Sequence, residues 1–160
     1  CRAAVRAFRG GGLLLLNLTV PSFLAGPGVL RGIASCPGRT VVEVTEHGPE
    51  ASACEVVLAA SAWRREGYLI AADDVVPGTA RFGALAAAAP EFVKVARGVV
   101  AEAAGSLRAV RVLAEVTARA ARWGGRMVAE GIETAEELER VRSAGIGLGQ
   151  GYLLGGPAAA

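Results

Sequence analysis

Histidine occurs once in this chain, at His47, and lysine once, at Lys94. Cysteine occurs three times (Cys1, Cys36, Cys54), an odd number with no C-x-x-C and no metal-ligand spacing. With no ligand spacing among them, nothing here suggests a zinc centre built from histidine and cysteine, and they offer no disulfide framework. No apolar run approaches the roughly 18 residues of a membrane span, and Leu13–Leu16 ends at Asn17. The other sixteen basic residues are all Arg, scattered along helical stretches, and the net charge is only +2. That distribution is a solvated face, not a nucleic-acid polymer footprint. Reduced cysteines and the lack of a membrane segment read as a cytoplasmic protein.

A chain of 160 residues with 52% hydrophobic content can bury one sizeable core, so one domain is expected. Six short apolar runs punctuate it. Five end in carboxylates or amides: Leu13–Leu16 at Asn17, Val41–Val44 at Glu43 and Glu46, Leu69–Ala72 at Asp73 and Asp74, Met127–Ala129 at Glu130 and Glu133, and 147–149 at Gln150. The sixth, Phe92–Val95, carries Lys94. Runs of this length between turn signals read as buried strands, and helical patterns lie between them, so an α/β fold with a parallel sheet follows. Polar residues at the ends of successive parallel strands converge on one rim of a barrel, the face where such folds keep their chemistry.

Along the chain, residues 1–9 read as the end of an amphipathic helix stopped by three glycines. Strands are expected from about 13 to 19, 40–45, 68–72, 92–95 and 126–129, with a last one starting at 146. A short helix is expected near 29–34, and others from about 49 to 65, across the alanine-rich stretch before Pro90, at 105–123, and from Thr134 to about Ser143. Thr134-x-x-Glu137 is a capping-box pattern. Trp63 and Trp123, near helix ends, read as packing residues. Adjacent Asp73 and Asp74 can serve one site only if the strand bends there, since regular alternation sends them to opposite faces.

The donor types suit a hard dication such as Mg²⁺ or Mn²⁺, and a pair of them about 3.5–4 Å apart suits phosphodiester cleavage. Lys94 lies in an apolar run, where an unpaired ammonium is costly, so it should face carboxylates or phosphate; the alternative is a lysine snorkelling at a strand end. Asn17 is either a ligand or a buried partner to backbone groups. Gly131 lets the chain turn so that Glu130 and Glu133 both face the rim, although Glu133 could instead only charge the next helix N-terminus.

Asn17-Leu18-Thr19, Glu43-Val44-Thr45-Glu46-His47, Asp73-Asp74, Pro90-Glu91-Phe92-Val93-Lys94, Glu130-Gly131-Ile132-Glu133-Thr134 and Gly149-Gln150-Gly151-Tyr152 resemble, in order and spacing, the motifs of EAL-domain phosphodiesterases, which hydrolyse cyclic di-GMP. The resemblance runs from about residue 13 to 157 and implies a partial EAL-like domain over 1–157 with a frayed tail at 158–160. The fold implied is an incomplete TIM-like (β/α) barrel of about six strands with its N-terminal strands missing, since a full barrel takes roughly 250 residues. It implies that Asn17, Glu43 and Asp73 hold one metal, and that Asp73, Asp74 and Glu130 hold or orient a second. Lys94 then contacts the attacking water or a phosphate oxygen, and Glu133, Gln150 and Gly151 complete the metal and substrate shell. Glu46 anchors the loop after the aspartates. A homodimer and an upstream sensor or GGDEF-type domain are compatible with it.

Two departures stand out. The Glu-Ala-Leu tripeptide that names the family, whose glutamate is a metal ligand there, does not occur here. The family's Phe-Gly-Thr after the paired aspartates is Val75-Val76-Pro77, and valine resists φ > 0, so this loop is expected to follow another path. The resemblance therefore supports a cyclic di-GMP phosphodiesterase in truncated form, inactive or nearly so by itself, beside an alternative: a degenerate EAL-like domain that binds the nucleotide or a partner protein without hydrolysis. A metabolic α/β-barrel lyase is the reading outside the family.

Overall fold

The computed structural model describes residues 12–30, 39–45 and 51–156. Six strands form one all-parallel sheet in chain order: β1 (Leu14–Leu18), β2 (Thr40–Thr45), β3 (Leu69–Val75), β4 (Phe92–Val95), β5 (Arg126–Ala129) and β6 (Leu148–Gly149). The helices are α1 (Val20–Leu24), α2 (Ala53–Arg65), α3 (Ala80–Ala87), α4 (Arg97–Gly105), α5 (Leu107–Ala121) and α6 (Ala135–Ser143), with a 3₁₀ turn at Pro27–Leu30. Among the described residues β1 and β6 are not paired with each other, so the barrel-like sheet is open.

Strand alternation sorts the side chains. Leu16, Val42, Val44, Ile70, Ala72, Val93, Val95, Met127 and Ala129 point to the helix layer and form its core. Leu15, Val41, Glu43, Ala71, Phe92, Lys94, Val128 and Gln150 line a small cavity on the opposite, inner face. Register carries this arrangement across the sheet: Asn17 lies opposite Glu43, Glu43 opposite Ala71, Thr45 opposite Asp73, and Lys94 opposite Val128. The polar residues thus accumulate at the C-terminal ends of the strands while the helix side stays apolar. Under α2, Trp63 stacks on Phe23 at 6.2 Å, meets Tyr68 edge-on at 5.1 Å, and donates its indole N–H to Phe23 O.

The expected elements are largely present, with three differences. β3 runs on through both aspartates, whereas its pattern suggested a stop at residue 72. The helix expected at 105–123 is present as α5, but it does not stand alone. Ser106 leaves helical geometry (φ −138°, ψ 109°) and its hydroxyl caps α5, while α4 precedes it unforeseen. α2 starts at a Ser52–Glu55 capping box, later than residue 49. The helix expected at 1–9, part of that expected near 29–34, Glu46, His47 and residues 157–160 lie outside the described residues.

Candidate metal and phosphodiester site

Glu43 near the end of β2, Asp73 in β3, Lys94 in β4 and Glu130 just past β5 meet at one point. Lys94 Nζ donates to Asp73 Oδ1 at 2.6 Å and lies 2.8 Å from Glu130 Oε1 and 3.0 Å from Glu43 Oε1. The cluster is largely dry: side-chain exposure is 8% for Lys94, 4% for Glu43, 17% for Asp73 and 16% for Glu130. Burial leads the shifts of both glutamates, raising the proton affinity of Glu43 and Glu130, with the Lys94 ammonium opposing it. Burial would also pull Lys94 down. Its hydrogen bond to Asp73 and the close carboxylates of Glu130 and Glu43 outweigh that and hold it above the ordinary lysine range. Lys94 is therefore a fixed cation at neutral pH.

At the paired aspartates the strand bends, as regular alternation requires if both are to reach one site. The β3–β4 register shifts between Ala72 and Val75, and Asp74 takes φ 55°. Aspartate tolerates this left-handed geometry better than most residues, and the strain is stored at the rim. Asp74 is close enough for its charge to raise Glu130 further. Val76 avoids positive φ; Gly78 takes it instead (φ 91°), and Thr79 caps α3.

The Glu130–Glu133 loop is fastened on every side. Glu130 N–H donates to Val95 O, Ile132 N–H to Gln150 O, Leu153 N–H to Ile132 O, and Glu133 N–H to Glu137 Oε2. Gln150 Nε2 donates to Glu130 Oε1 at 2.6 Å. Glu133 does not join the Lys94 cluster; its carboxylate pairs with Arg97 at 2.8 Å and is half-exposed. Asn17 sits beside Glu43 in register, but its side chain is exposed and enters none of these ion pairs. Gly151 packs against the backbone of Ile132. Arg97, the first residue of α4, was not singled out in the sequence; its place three residues beyond Lys94 at a strand end was the available signal.

Among the described residues no three Asp, Glu, His or Cys side chains form a ready ligand shell around a common point, for Lys94 Nζ stands where three carboxylates converge. The donor chemistry nevertheless fits a hard dication. All candidate ligands are oxygens, and the buried Glu43 Oε1 has no hydrogen-bond partner, its contact with Nζ being one of charge without hydrogen-bond alignment.

An open parallel α/β sheet with a carboxylate–lysine cluster at its strand ends gathers charged groups on the rim where barrel folds keep their chemistry. A model of the EAL domain family matches residues 12–157, and the chain belongs to that family. BlrP1 of Klebsiella pneumoniae, solved with calcium and cyclic di-GMP, is 29% identical over 94% of this chain and 40% of its own, at a TM-score of 0.75. Its manganese complex gives 28%, 90%, 38% and 0.77. The PaMucR phosphodiesterase in complex with cyclic di-GMP shares the fold at a TM-score of 0.82, with 24% identity over 99% of this chain and 75% of its own. The chain thus spans about 40% of the BlrP1 chain. A comparison with curated protein sequences found no match. Among the described residues no helix is long and apolar enough to cross a membrane.

Proposed function

We propose that this rim binds cyclic di-GMP together with Mg²⁺ or Mn²⁺ and belongs to a phosphodiesterase that opens the cyclic dinucleotide to linear pGpG. The observation that carries the reading is the convergence of Glu43, Asp73 and Glu130 on Lys94 from successive strand ends. The BlrP1 structures, at 28–29% identity, hold the same nucleotide with calcium or manganese. Asn17, Glu43 and Asp73 would hold one ion, and Asp73, Asp74 and Glu130 the other. Bound dications would supply an activated water and neutralise charge growing on the phosphoryl oxygens.

The chain's own groups do the rest. Lys94, held protonated, donates to a phosphoryl oxygen or the attacking water and cannot serve as a base. Glu130, with Gln150 Nε2 fixing its carboxylate, orients the attacking water. Glu133, steadied by Arg97 and Glu137, and Gln150 face the nucleotide. The reading expects a cytoplasmic protein, a homodimer and an upstream sensor or GGDEF-type domain.

A second reading, nucleotide binding without turnover, is favoured by the lack of a ready ligand shell among the described residues and by the altered Val75-Val76-Pro77 loop. Incubating the 160-residue chain with cyclic di-GMP and Mn²⁺ separates the two. Nucleotide binding is expected under both, and linear dinucleotide above an Asp73→Asn control marks the hydrolase, however slowly it forms. Binding without product supports the second reading when it persists after the family's Glu-Ala-Leu strand has been joined to the chain, and no binding overturns both.

A further inference from the structure

Lys94 is the one lysine in the chain, and its Nζ stands where Glu43, Asp73 and Glu130 present oxygens at 3.0, 2.6 and 2.8 Å. We infer that the Lys94 ammonium and a dication compete for these three carboxylates, so that metal entry displaces Nζ from the cluster and frees it for the nucleotide. The inference rests on the metal-dependent reading of the rim and adds to it a cationic placeholder built into the site.

Three features carry the argument. First, the oxygens that Nζ touches belong to the side chains best suited to a hard cation. A dication bound to them at about 2.0–2.1 Å would come into near contact with the ammonium. The cluster is too dry for water to screen that repulsion. Second, the three contacts are unequal. Asp73 accepts a short hydrogen bond, whereas the buried Glu43 Oε1 accepts none and meets Nζ only as a charge. Glu43 is therefore the ligand a dication takes at least cost. Third, the ammonium has somewhere to go. Lys94 is the penultimate residue of β4, beside the open rim, on a flexible four-carbon stem that carries a point charge and no rigid fork. Its neighbours Val93 and Val95 are buried on the helix side, which leaves the rim as the way out.

Competition has a signed consequence. Lys94 weakens metal binding while no nucleotide is present, and a phosphate that accepts the displaced ammonium strengthens it. By linkage, metal and nucleotide then bind with positive cooperativity.

A single lysine makes the test direct. Protein labelled with ¹⁵N-lysine gives one side-chain ammonium signal that needs no assignment. Titration with Mg²⁺ should shift or broaden it saturably, along the same isotherm as Mg²⁺ binding measured by calorimetry. Lys94→Met should bind Mn²⁺ about tenfold more tightly than the unaltered chain, within the usual span of such couplings. An unmoved Nζ signal at saturating Mg²⁺, or equal or weaker Mn²⁺ binding by Lys94→Met, overturns the competition while leaving the metal site standing. Binding of neither ion by either protein overturns both. Should Lys94→Met fail to fold, the resonance of the unaltered chain decides.

Discussion

A Cβ placed on Gly151 would lie 2.2 Å from both the amide nitrogen and the carbonyl oxygen of Ile132. That contact interlocks the Gln150 turn with the Glu130–Glu133 loop. A Cβ on Gly131 would instead meet side-chain atoms of Arg97, the Cγ at 2.5 Å and the Cβ at 2.8 Å, of which the first can rotate away and the second is fixed by the start of α4. Backbone cannot give way as a side chain can. Gly151→Ala should therefore cost about 3 kcal/mol or more and loosen Gln150. Gly131→Ala (φ 66°) should cost less, about 1–3 kcal/mol, from left-handed strain and the small shift that Arg97 Cβ requires. Urea unfolding of both variants checks the order; equal costs would remove the interlock.

The loop after the aspartates sets a second expectation. Restoring the family's Phe-Gly-Thr looks from sequence like one repair of three changes, but the structure splits it. Val75 is 0% exposed and Val76 is 43% exposed. Val75→Phe overpacks the core and should destabilise by about 1–3 kcal/mol. Val76→Gly with Pro77→Thr changes only exposed or partly exposed positions, and should raise any turnover with little change in thermal midpoint. Melting curves and product formation, measured on the separate variants, test the division.

Arg97→Ala removes an exposed ion pair and should change stability by less than about 1 kcal/mol. It releases the Glu133 carboxylate from the Arg97 guanidinium that holds it at the rim, so cyclic di-GMP affinity should fall while the melting midpoint holds. Calorimetric titration beside a thermal melt reads both; unchanged affinity would confine the pair to the surface.

The α6 cap carries a pH signature. Glu137 accepts from the backbone N–H of Glu133 and Thr134, and these bonds hold its carboxyl below the usual range. A depressed folded pKa gives stability that is complete above the unfolded value of 4.5 and lost as pH falls through the lower folded value. The melting difference between the unaltered chain and Glu137→Gln should thus be largest near pH 7 and shrink from pH 4.5 downward. Lys94 has the opposite sign. Its raised pKa gives stability complete below the ordinary 10.5 and lost only as pH rises past the folded value, so the cluster should outlast moderate alkali.

Much of this was legible because apolar runs of strand length are bounded by residues of different chemistry. β2, β4 and β5 occupy the spans their runs suggested, and the need for a bend at Asp73-Asp74 followed from alternation alone. α4 was not legible. Its N-cap, Ala96, makes no side-chain bond, no acidic residue charges its first turn, and Ser106 breaks its pattern from α5. The Arg97–Glu133 pair spans 36 residues and depends on the packing of two strand ends, which no local signal encodes. The glycines around Gln150 hinted at a close approach, but only the fold identifies Ile132 as one of the groups approached.

The central claim is that the carboxylates around Lys94 hold the metal through which cyclic di-GMP binds. Calorimetric titration of the nucleotide into the chain, with Mn²⁺ and again with EDTA, tests it most directly when repeated on Glu43→Gln and Asp73→Asn shown to be folded by circular dichroism. The account predicts binding that requires Mn²⁺ and falls at least about tenfold in either variant, as losing an anionic ligand from a dry site implies. Binding of equal strength in EDTA, or undiminished in both variants, would contradict it.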